Sequence, residues 1–259
     1  MNILVSNDDG IDKKGLQVLA ASLSKIPGAR IYVVAPDRER SCTSHCLTMK
    51  DEIMLWPWEG GGYEFAEGAW ACSGTPADCI KLGVSIGRKN GVEFDLVCTG
   101  INHGSNLGTD VHYSGTLGAA MEGLFMGVQA IGFSLCSYEA EHFEALEEFI
   151  PKIVEKSFAK VPSDTILSVN APDLPKSKIK GVKAATIGSR DYSEDYVARA
   201  LDDGGWALNY SSRLLEGAEL DPEWDLAASL EGWITITPVA TMRENPDMMD
   251  QVQSWVEDI

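Results

Sequence analysis

Two adjacent carboxylates near the start of the chain, Asp8 and Asp9, are the side chains best suited to chemistry. They follow an apolar run at residues 3–5, which is typical of a buried parallel strand, and Gly10 permits a tight turn after them. Two neighbouring negative charges repel, so a cation between them would explain the pair, and Mg²⁺ and Mn²⁺ prefer such oxygen ligands. The pair is equally suited to capping the next helix, because Asp is a favoured N-cap residue. The turn alone leaves both interpretations open.

The elements around this turn predict an α/β fold with a parallel sheet. Leu16, Leu19 and Leu23 recur at helical spacing, and the next apolar run follows at residues 30–34. Strand, helix and strand in this order make a βαβ unit, whose two strands lie parallel. Further strands are predicted at 94–98, 129–135, 165–169, 182–187 and 233–237, and further helices from Pro76, at 117–127, at 139–160 and from about Pro246.

Polar side chains follow three of the predicted strands. Asp8 and Asp9 come after the first strand, and Ser41 lies in the loop after the second. Asn102 lies in the loop after the strand at 94–98. Because the carboxyl ends of parallel strands share one edge of a sheet, we expect these side chains to meet where open α/β folds bind ligands. Two carboxylates, a hydroxyl and an amide carbonyl would suit a hard metal ion and leave positions for water and substrate.

A helix that begins near Ser114, Gly115 and Thr116 supplies a candidate anion site. The first turn of a helix points free N–H groups outward, and glycine lets a phosphate approach the backbone closely. Ser114 standing alone is equally well explained as an N-cap. The sequence therefore predicts phosphate contacts at these three residues, with Asn102 beside them, and leaves the capping role open.

Two stretches leave the core pattern. Residues 48–70, which include Trp56 and Trp58, predict a β-hairpin or an excursion whose aromatic side chains line a pocket mouth or cover a sheet edge. Residues 189–225 are acidic and irregular and are interpreted as an extension, a lid or an arm that contacts another subunit. We expect a single domain overall, with residues 1–160 as the catalytic core and residues 161–259 completing the core and adding the extension.

Composition excludes several classes of function. The 259 residues carry a formal net charge of −18, which argues against nucleic-acid binding through a basic surface and makes a bound metal useful for receiving an anion. The longest apolar stretches fall short of the roughly 20 residues of a membrane span, and no signal-type segment precedes the first strand. The six cysteines form no CxxC pair, so we expect reduced thiols, a cytoplasmic location and no structural zinc site.

Several rare strings occur along nearly the whole chain. They are Asn7-Asp-Asp-Gly-Ile11, Ala35-Pro-Asp-Arg-Glu-Arg-Ser41 with Ser44-His45, Ser73-Gly-Thr-Pro-Ala-Asp78, Gly100-Ile-Asn-His-Gly-Ser-Asn-Leu-Gly-Thr-Asp110, Tyr113-Ser-Gly-Thr116, Ala119-Ala-Met-Glu-Gly123 and Gly232-Trp-Ile-Thr-Ile-Thr-Pro238. The identity, order and spacing of these strings closely resemble those of the SurE survival proteins, a family of nucleotidases that act on nucleoside monophosphates.

The resemblance implies a fold, an assembly and an activity. The fold would be a Rossmann-like core with a swapped arm or C-terminal element, in homodimers or homotetramers. The activity would be hydrolysis of nucleoside 5′-monophosphates, with 3′-monophosphates and short polyphosphate as further candidate substrates. One divalent ion per subunit, Mg²⁺ or Mn²⁺, would be held by Asp8, Asp9, Ser41 and Asn102, the four residues that position alone indicates.

A mechanism follows from these expectations. The metal would lower the pKa of a bound water that attacks phosphorus, and Asp8 is the better candidate than Asp9 for orienting that water. Asp8 and Asp9 are thus the expected catalytic residues. His45 and His103 lie in the right loops and are candidates for protonating the leaving alcohol.

Three rival functions are weighed against this one. An aspartyl-nucleophile phosphatase would place Asp-x-Asp after the first strand, whereas the two carboxylates here are adjacent. A serine esterase at Ser114 would need the Gly-x-Ser-x-Gly turn, which is absent. A non-catalytic nucleotide or metal sensor stays open until phosphate release is measured. No Walker A string or Gly-x-Gly-x-x-Gly turn supports an ATPase or a dinucleotide-binding protein.

Overall fold

The computed structural model describes residues 1–190, 192–214, 220–241 and 248–257. The strands are β1 (Asn2–Ser6), β2 (Arg30–Pro36), β3 (Leu55–Pro57), β4 (Gly68–Cys72), β5 (Leu96–His103), β6 (Gln129–Leu135), β7 (Thr165–Ala171), β8 (Val182–Ala184), β9 (Tyr192–Ala200), β10 (Trp206–Leu214) and β11 (Ile234–Ala240). The α-helices are α1 (Lys14–Leu23), α2 (Pro76–Lys89), α3 (Gly115–Phe125), α4 (Glu144–Glu147), α5 (Phe149–Ser157), α6 (Asp225–Leu230) and α7 (Met249–Glu257).

One sheet organises the molecule, in the strand order β3-β4-β2-β1-β5-β6-β7-β11-β8. The six central strands, from β4 to β7 in this order, run parallel to one another. Strand β3 pairs antiparallel with β4, and β11 pairs antiparallel with β7. The α/β parallel-sheet core predicted from the sequence is therefore confirmed, and so is the hairpin predicted at residues 48–70.

Alternate residues of β1 belong to two apolar layers, one on each face of the sheet. Ile3 and Val5 pack with the buried side chains of α1 and α5, whereas Leu4 packs with those of α2 and α3. All three are fully buried, as expected for a central parallel strand covered on both faces. This double cover fixes the carboxyl end of β1, from which Asp8 and Asp9 project.

The prediction of one long helix at residues 139–160 is wrong. The structure has a short helix, α4, followed by α5, with Glu148 between them. Pro151 has no backbone N–H and cannot bond the carbonyl four residues earlier, which accounts for a break at this point. Before α4, the backbone N–H groups of Glu141 and His142 are held by the side chain of Asp173 instead of by helical bonds.

The stretch predicted as irregular, residues 189–225, contains a regular β-hairpin. Strands β9 and β10 pair antiparallel from Tyr192↔Leu214 to Ala200↔Trp206, in a two-stranded sheet separate from the main one. Residues 191 and 215–219 of this stretch lie outside the described residues. The sequence of β10 from Trp206 to Tyr210 alternates large apolar residues with small or polar ones, a strand pattern that the interpretation of this stretch as irregular overlooked.

No helix among the described residues is long and apolar enough to cross a lipid bilayer.

Candidate active site

The acidic turn, residues 7–10, is closed by a side chain of its own. Asn7 donates from Nδ2 to the Gly10 carbonyl at 3.0 Å, and its Oδ1 accepts the Gly10 N–H at 3.2 Å. Gly10 has φ +122°, a backbone angle that residues with a Cβ rarely adopt. Helix α1 begins only at Lys14, with Lys13 at its N-cap position and no side-chain cap. The helix-capping interpretation of Asp8 and Asp9 is therefore wrong.

Both carboxylates are buried without a cationic partner. Asp8 is 4% exposed and Asp9 is 7% exposed, and no salt bridge among the described residues includes either of them, although the charge of Lys13 acts on Asp9 without forming one. Burial raises the pKa of Asp8 to about 7, and the charge of Asp9 adds to the effect. Burial also raises the pKa of Asp9 to about 6, opposed by the His103 backbone N–H. Two ionised carboxylates buried side by side would be stabilised by a cation between them, and a metal site at this position stays a prediction.

Helix α3 begins directly against Asp8. The Thr116 hydroxyl donates to Asp8 Oδ1, and the Thr116 carbonyl accepts from Thr99 Oγ1 at 2.8 Å. A Cβ at position 115 would lie 2.9 Å from Asp8 Oδ2 and 2.8 Å from Thr43 Oγ1, so only glycine fits there without displacing a neighbour. The N-terminus of α3 and the loop after β2 therefore enclose Asp8 from two sides.

The predicted ligand Asn102 lies in the strand end that contacts Asp9. The backbone N–H of the next residue, His103, donates to Asp9 Oδ2 at 3.2 Å. Asn102 donates from Nδ2 to the Gly104 carbonyl at 2.8 Å, which uses its donor within the loop and leaves Oδ1 as the acceptor for a ligand. The expected convergence of β1 and β5 at one edge of the sheet is thus present.

The predicted ligand Ser41 is adjacent to the site, but its hydroxyl points to another acceptor. The Arg40 N–H donates to the Asp8 carbonyl at 2.7 Å, which brings this loop to the acidic turn. Ser41 itself is exposed and donates from Oγ to Glu39 Oε1 at 2.8 Å. The charge of Glu39 contributes to the raised pKa of Asp9, so Glu39 lies near the pair. A role for Ser41 as a metal ligand stays a prediction.

The three predicted phosphate residues at the start of α3 are together, but their side chains have other partners. Ser114 accepts the Leu117 N–H at 3.1 Å and is the N-cap of the helix, so the capping interpretation is confirmed. Thr116 is bonded to Asp8. Backbone N–H groups of the first turn remain the natural donors to a phosphate, and such contacts at Ser114, Gly115 and Thr116 stay a prediction.

The two candidate histidines have different surroundings. His45 Nε2 lies 2.7 Å from Oε2 of Glu122, a buried carboxylate in α3. His103 packs against Phe143, and its Nε2 is buried with no hydrogen-bond partner among the described residues. Of the two candidates, only His103 has a buried ring nitrogen without a hydrogen-bond partner among the described residues, and burial lowers the pKa of its imidazole.

The donor set fits a hard divalent ion better than a soft one. Within the described residues, no cluster of three or more His, Cys, Asp or Glu side chains could hold a metal. The carboxylates of Asp8 and Asp9 and the amide oxygen of Asn102 are oxygen donors, as Mg²⁺ and Mn²⁺ require. With so few protein ligands, water and substrate would complete the coordination.

Residues distant in sequence hold these loops, and sequence patterns gave no sign of them. Asn106 donates from its backbone N–H to Asn170 Oδ1 and from Nδ2 to Ser134 Oγ, each at 2.8 Å. Asp225 accepts the Gly108 N–H at 2.9 Å from within the stretch predicted as irregular. Each of these polar side chains is buried, and a polar residue within an apolar strand could have marked Ser134 and Asn170, whereas Asn106 in a loop and Asp225 at the start of α6 offered no such signal.

The aromatic excursion also reaches the acidic turn. Tyr63, between β3 and β4, is 6% exposed and donates its hydroxyl to the Ile11 carbonyl at 2.7 Å. The Ile11 N–H donates to the Pro36 carbonyl at 2.9 Å. The excursion therefore supports the backbone just after Asp8 and Asp9, a function that its composition did not indicate.

Comparison with known proteins places the chain in a family. The model of the family described as survival protein SurE matches residues 3–194. The chain belongs to the SurE family. A relative named 5′-nucleotidase SurE from Synechococcus sp. (strain JA-3-3Ab) is 40% identical over 98% of this chain and 97% of that protein. The protein of the same name from Vibrio cholerae serotype O1 (strain ATCC 39315 / El Tor Inaba N16961) is 35% identical over 100% of this chain and 98% of its own length.

A solved SurE structure has the same fold. The crystal structure of the SurE protein from Aquifex aeolicus superposes with a TM-score of 0.84 at 32% identity, covering 100% of both chains. The resemblance drawn from the sequence strings is confirmed, and the Rossmann-like SurE fold is confirmed with it.

Proposed function

We propose that this chain is a divalent-metal-dependent 5′-nucleotidase that hydrolyses nucleoside 5′-monophosphates to nucleoside and phosphate. The observation that carries the proposal is the buried pair Asp8 and Asp9, which has no cationic partner in the described residues and lies against the N-terminus of α3. The names of the relatives from Synechococcus and Vibrio support the substrate class. Nucleoside 3′-monophosphates and short polyphosphate are secondary candidate substrates.

Each part of the chain has a task in this reaction. Asp8, Asp9 and Asn102 would hold the ion, with Ser41 as the fourth ligand once its hydroxyl turns from Glu39. A bound Mg²⁺ or Mn²⁺ supplies charge neutralisation at the phosphoryl group and a water of lowered pKa. Asp8 orients the attacking water, because the Thr116 hydroxyl fixes one of its carboxylate oxygens and the absence of a Cβ at Gly115 leaves the other oxygen uncrowded. Backbone N–H groups at the start of α3 bind the phosphate oxygens.

Phosphate release from AMP by the purified chain tests the proposal. We expect release in Mg²⁺ or Mn²⁺ and its loss in EDTA, with recovery when the metal is returned. Phosphate release from 3′-AMP and from tripolyphosphate, compared with release from AMP under the same conditions, measures the secondary activities. No release from any nucleotide with any divalent metal would favour the sensor, and a trapped acyl-phosphate would favour the aspartyl-nucleophile phosphatase.

His103→Asn should slow AMP hydrolysis about 10²-fold, the usual contribution of a general acid. The buried and unpartnered Nε2 makes His103 the candidate for protonating the leaving alcohol. Because p-nitrophenolate leaves without protonation, the same variant should lose much less activity on p-nitrophenyl phosphate. Equal losses of kcat on AMP and on p-nitrophenyl phosphate would contradict this role.

We propose a homodimer or homotetramer in the cytoplasm. Two observations support an oligomer. The resemblance to the family implies it, and several apolar side chains outside the main sheet are exposed. These are Tyr196, Val197, Trp206 and Leu208 in the hairpin and Val252, Trp255 and Val256 in α7. The six cysteines are unpaired, which suits a reducing compartment. Light scattering on the purified chain gives the number of copies.

A further inference from the structure

Glu122 is a buried carboxylate that the proposed reaction does not use. It lies in α3, is 3% exposed, and has two partners: His45 Nε2 at 2.7 Å from Oε2 and Lys81 Nζ at 2.5 Å from Oε1. Replacing a buried ion pair with well-packed apolar residues is often neutral or stabilising, so its presence is weak evidence for a stabilising role. The contact instead joins α3 to the loop at residues 41–48 (the 41–48 loop), which follows β2 and contains Ser41.

The 41–48 loop lies on one strip of α3. A Cβ at position 118 would be 2.3 Å from the Ser44 carbonyl oxygen and 3.0 Å from His45 Cα, so the loop backbone contacts the helix directly. The His45 ring stacks on Phe125 with centroids 5.3 Å apart and planes 25° apart. Positions 118, 122 and 125 are four and three residues apart, which places them on the same face of the helix.

The same loop reaches the acidic pair at the other end of the strip. Thr43 Oγ1 would lie 2.8 Å from a Cβ at position 115, where α3 contacts Asp8. Ser44 donates its N–H to the Tyr113 carbonyl at 3.0 Å and its hydroxyl to the His112 carbonyl at 2.7 Å. The loop is thus fixed to the helix start by Ser44 and to the helix body by His45.

The loop needs these external contacts because its backbone is strained. Cys42 has φ +56° and Ser44 has φ +51°, values that residues with a side chain seldom adopt outside a constrained setting. Both residues lie between Ser41 and His45. Release of His45 would therefore allow residues 42–44 to relax, so that Ser41, held on one side by the Arg40 N–H at the Asp8 carbonyl, would lose its constraint on the other side.

We propose that Glu122 is a positioning residue: through His45 it anchors the 41–48 loop on α3 and thereby places Ser41 beside the acidic pair. This inference rests on the proposed function for its consequence in catalysis, but the anchor itself is a structural claim. It also assigns His45 to the anchor and not to proton transfer. Lys81, in α2, balances the charge of Glu122 through the carboxylate oxygen that His45 does not use.

Activity and metal affinity test the anchor. Glu122→Ala and His45→Asn should each lower kcat/KM for AMP about 10–100-fold and weaken Mn²⁺ binding by calorimetry, as loss of an outer-shell partner of a metal ligand does. Glu122→Gln, which can still accept from His45, should recover most of the loss. The kcat/KM of the double variant should be no lower than that of the less active single variant, because both changes remove the same contact. Additive losses, or full activity in folded Glu122→Ala, would overturn the proposal.

Lys81→Met is the matched control, since it breaks the other half of the same buried pair and leaves the loop contact in place. Loss of Lys81 leaves the buried Glu122 carboxylate with His45 as its partner and lowers the free energy of unfolding, so the assay is run on folded protein, for which we expect kcat/KM to stay within about 3-fold of wild type. Trypsin cleavage after Arg40, followed by mass spectrometry, reports the loop independently of catalysis. Cleavage should be faster in Glu122→Ala and His45→Asn than in wild type and Lys81→Met. Faster cleavage with an inactive wild type would refute the proposed function alone, whereas equal cleavage in an active enzyme would refute the anchor.

Discussion

Asp9→Asn should lower kcat/KM for AMP by about 10²–10³-fold while leaving the fold intact. The amide has the same shape as the carboxylate and can still accept the His103 N–H, which lies 3.2 Å from Asp9 Oδ2. What the variant loses is the negative charge that balances a divalent ion. The affinity for Mn²⁺ measured by calorimetry should fall with the activity, because the same charge holds the metal.

Asp12→Asn provides the control for this experiment. It makes the same change of charge three residues later, at an exposed position outside the acidic turn. Its phosphate release should match that of wild type. If Asp9→Asn kept more than half of the wild-type activity at saturating metal, or if EDTA left wild-type activity unchanged, the metal-dependent reaction would be refuted.

The acidic turn could be predicted because its determinants are local. An apolar run, two acidic residues and Gly10 are contiguous, and the edge of a parallel sheet at which they lie follows from the βαβ order. The residues of the turn could not decide between a metal site and a helix cap, since that decision depended on where α1 begins. Lys14 is the first helical residue, too far along the chain for Asp8 or Asp9 to cap it.

The supporting contacts could not be predicted, because they join residues far apart in the chain. His45 and Glu122 are separated by 77 positions, and Gly108 and Asp225 by 117. Periodicity reports which face of an element is buried, and it carries no information about which polar side chain meets which loop. For this reason His45 and His103 were equivalent candidates in the sequence, and only the packing of His45 against α3 separates them.

In the absence of metal, Asp8→Asn should be more stable than wild type at pH 8, by up to about 4 kcal/mol, because the pKa of Asp8 rises from 3.8 to about 7 and each pKa unit corresponds to ~1.4 kcal/mol. Burial raises the pKa of Asp8 from 3.8 to about 7. A carboxyl group with a raised pKa favours the folded state most below its ordinary pKa, and this contribution is lost as the pH rises through about 7. At pH 8 the folded wild type must therefore hold a buried charge that the amide variant avoids.

Urea unfolding in EDTA at pH 8 and pH 5.5 measures this difference. The advantage of Asp8→Asn should be largest at pH 8 and fall by about half at pH 5.5, because the raised pKa of Asp8 affects stability over the whole range from 3.8 to about 7. Saturating Mn²⁺ at pH 8 should reverse the order, because a ligand that binds only the folded state stabilises the chain that binds it more tightly. An amide variant that is less stable than wild type at both pH values would contradict the buried charge. The order of stability should reverse because folding buries the Asp8 charge, which is unfavourable in the metal-free protein and would become favourable once a cation is bound beside it.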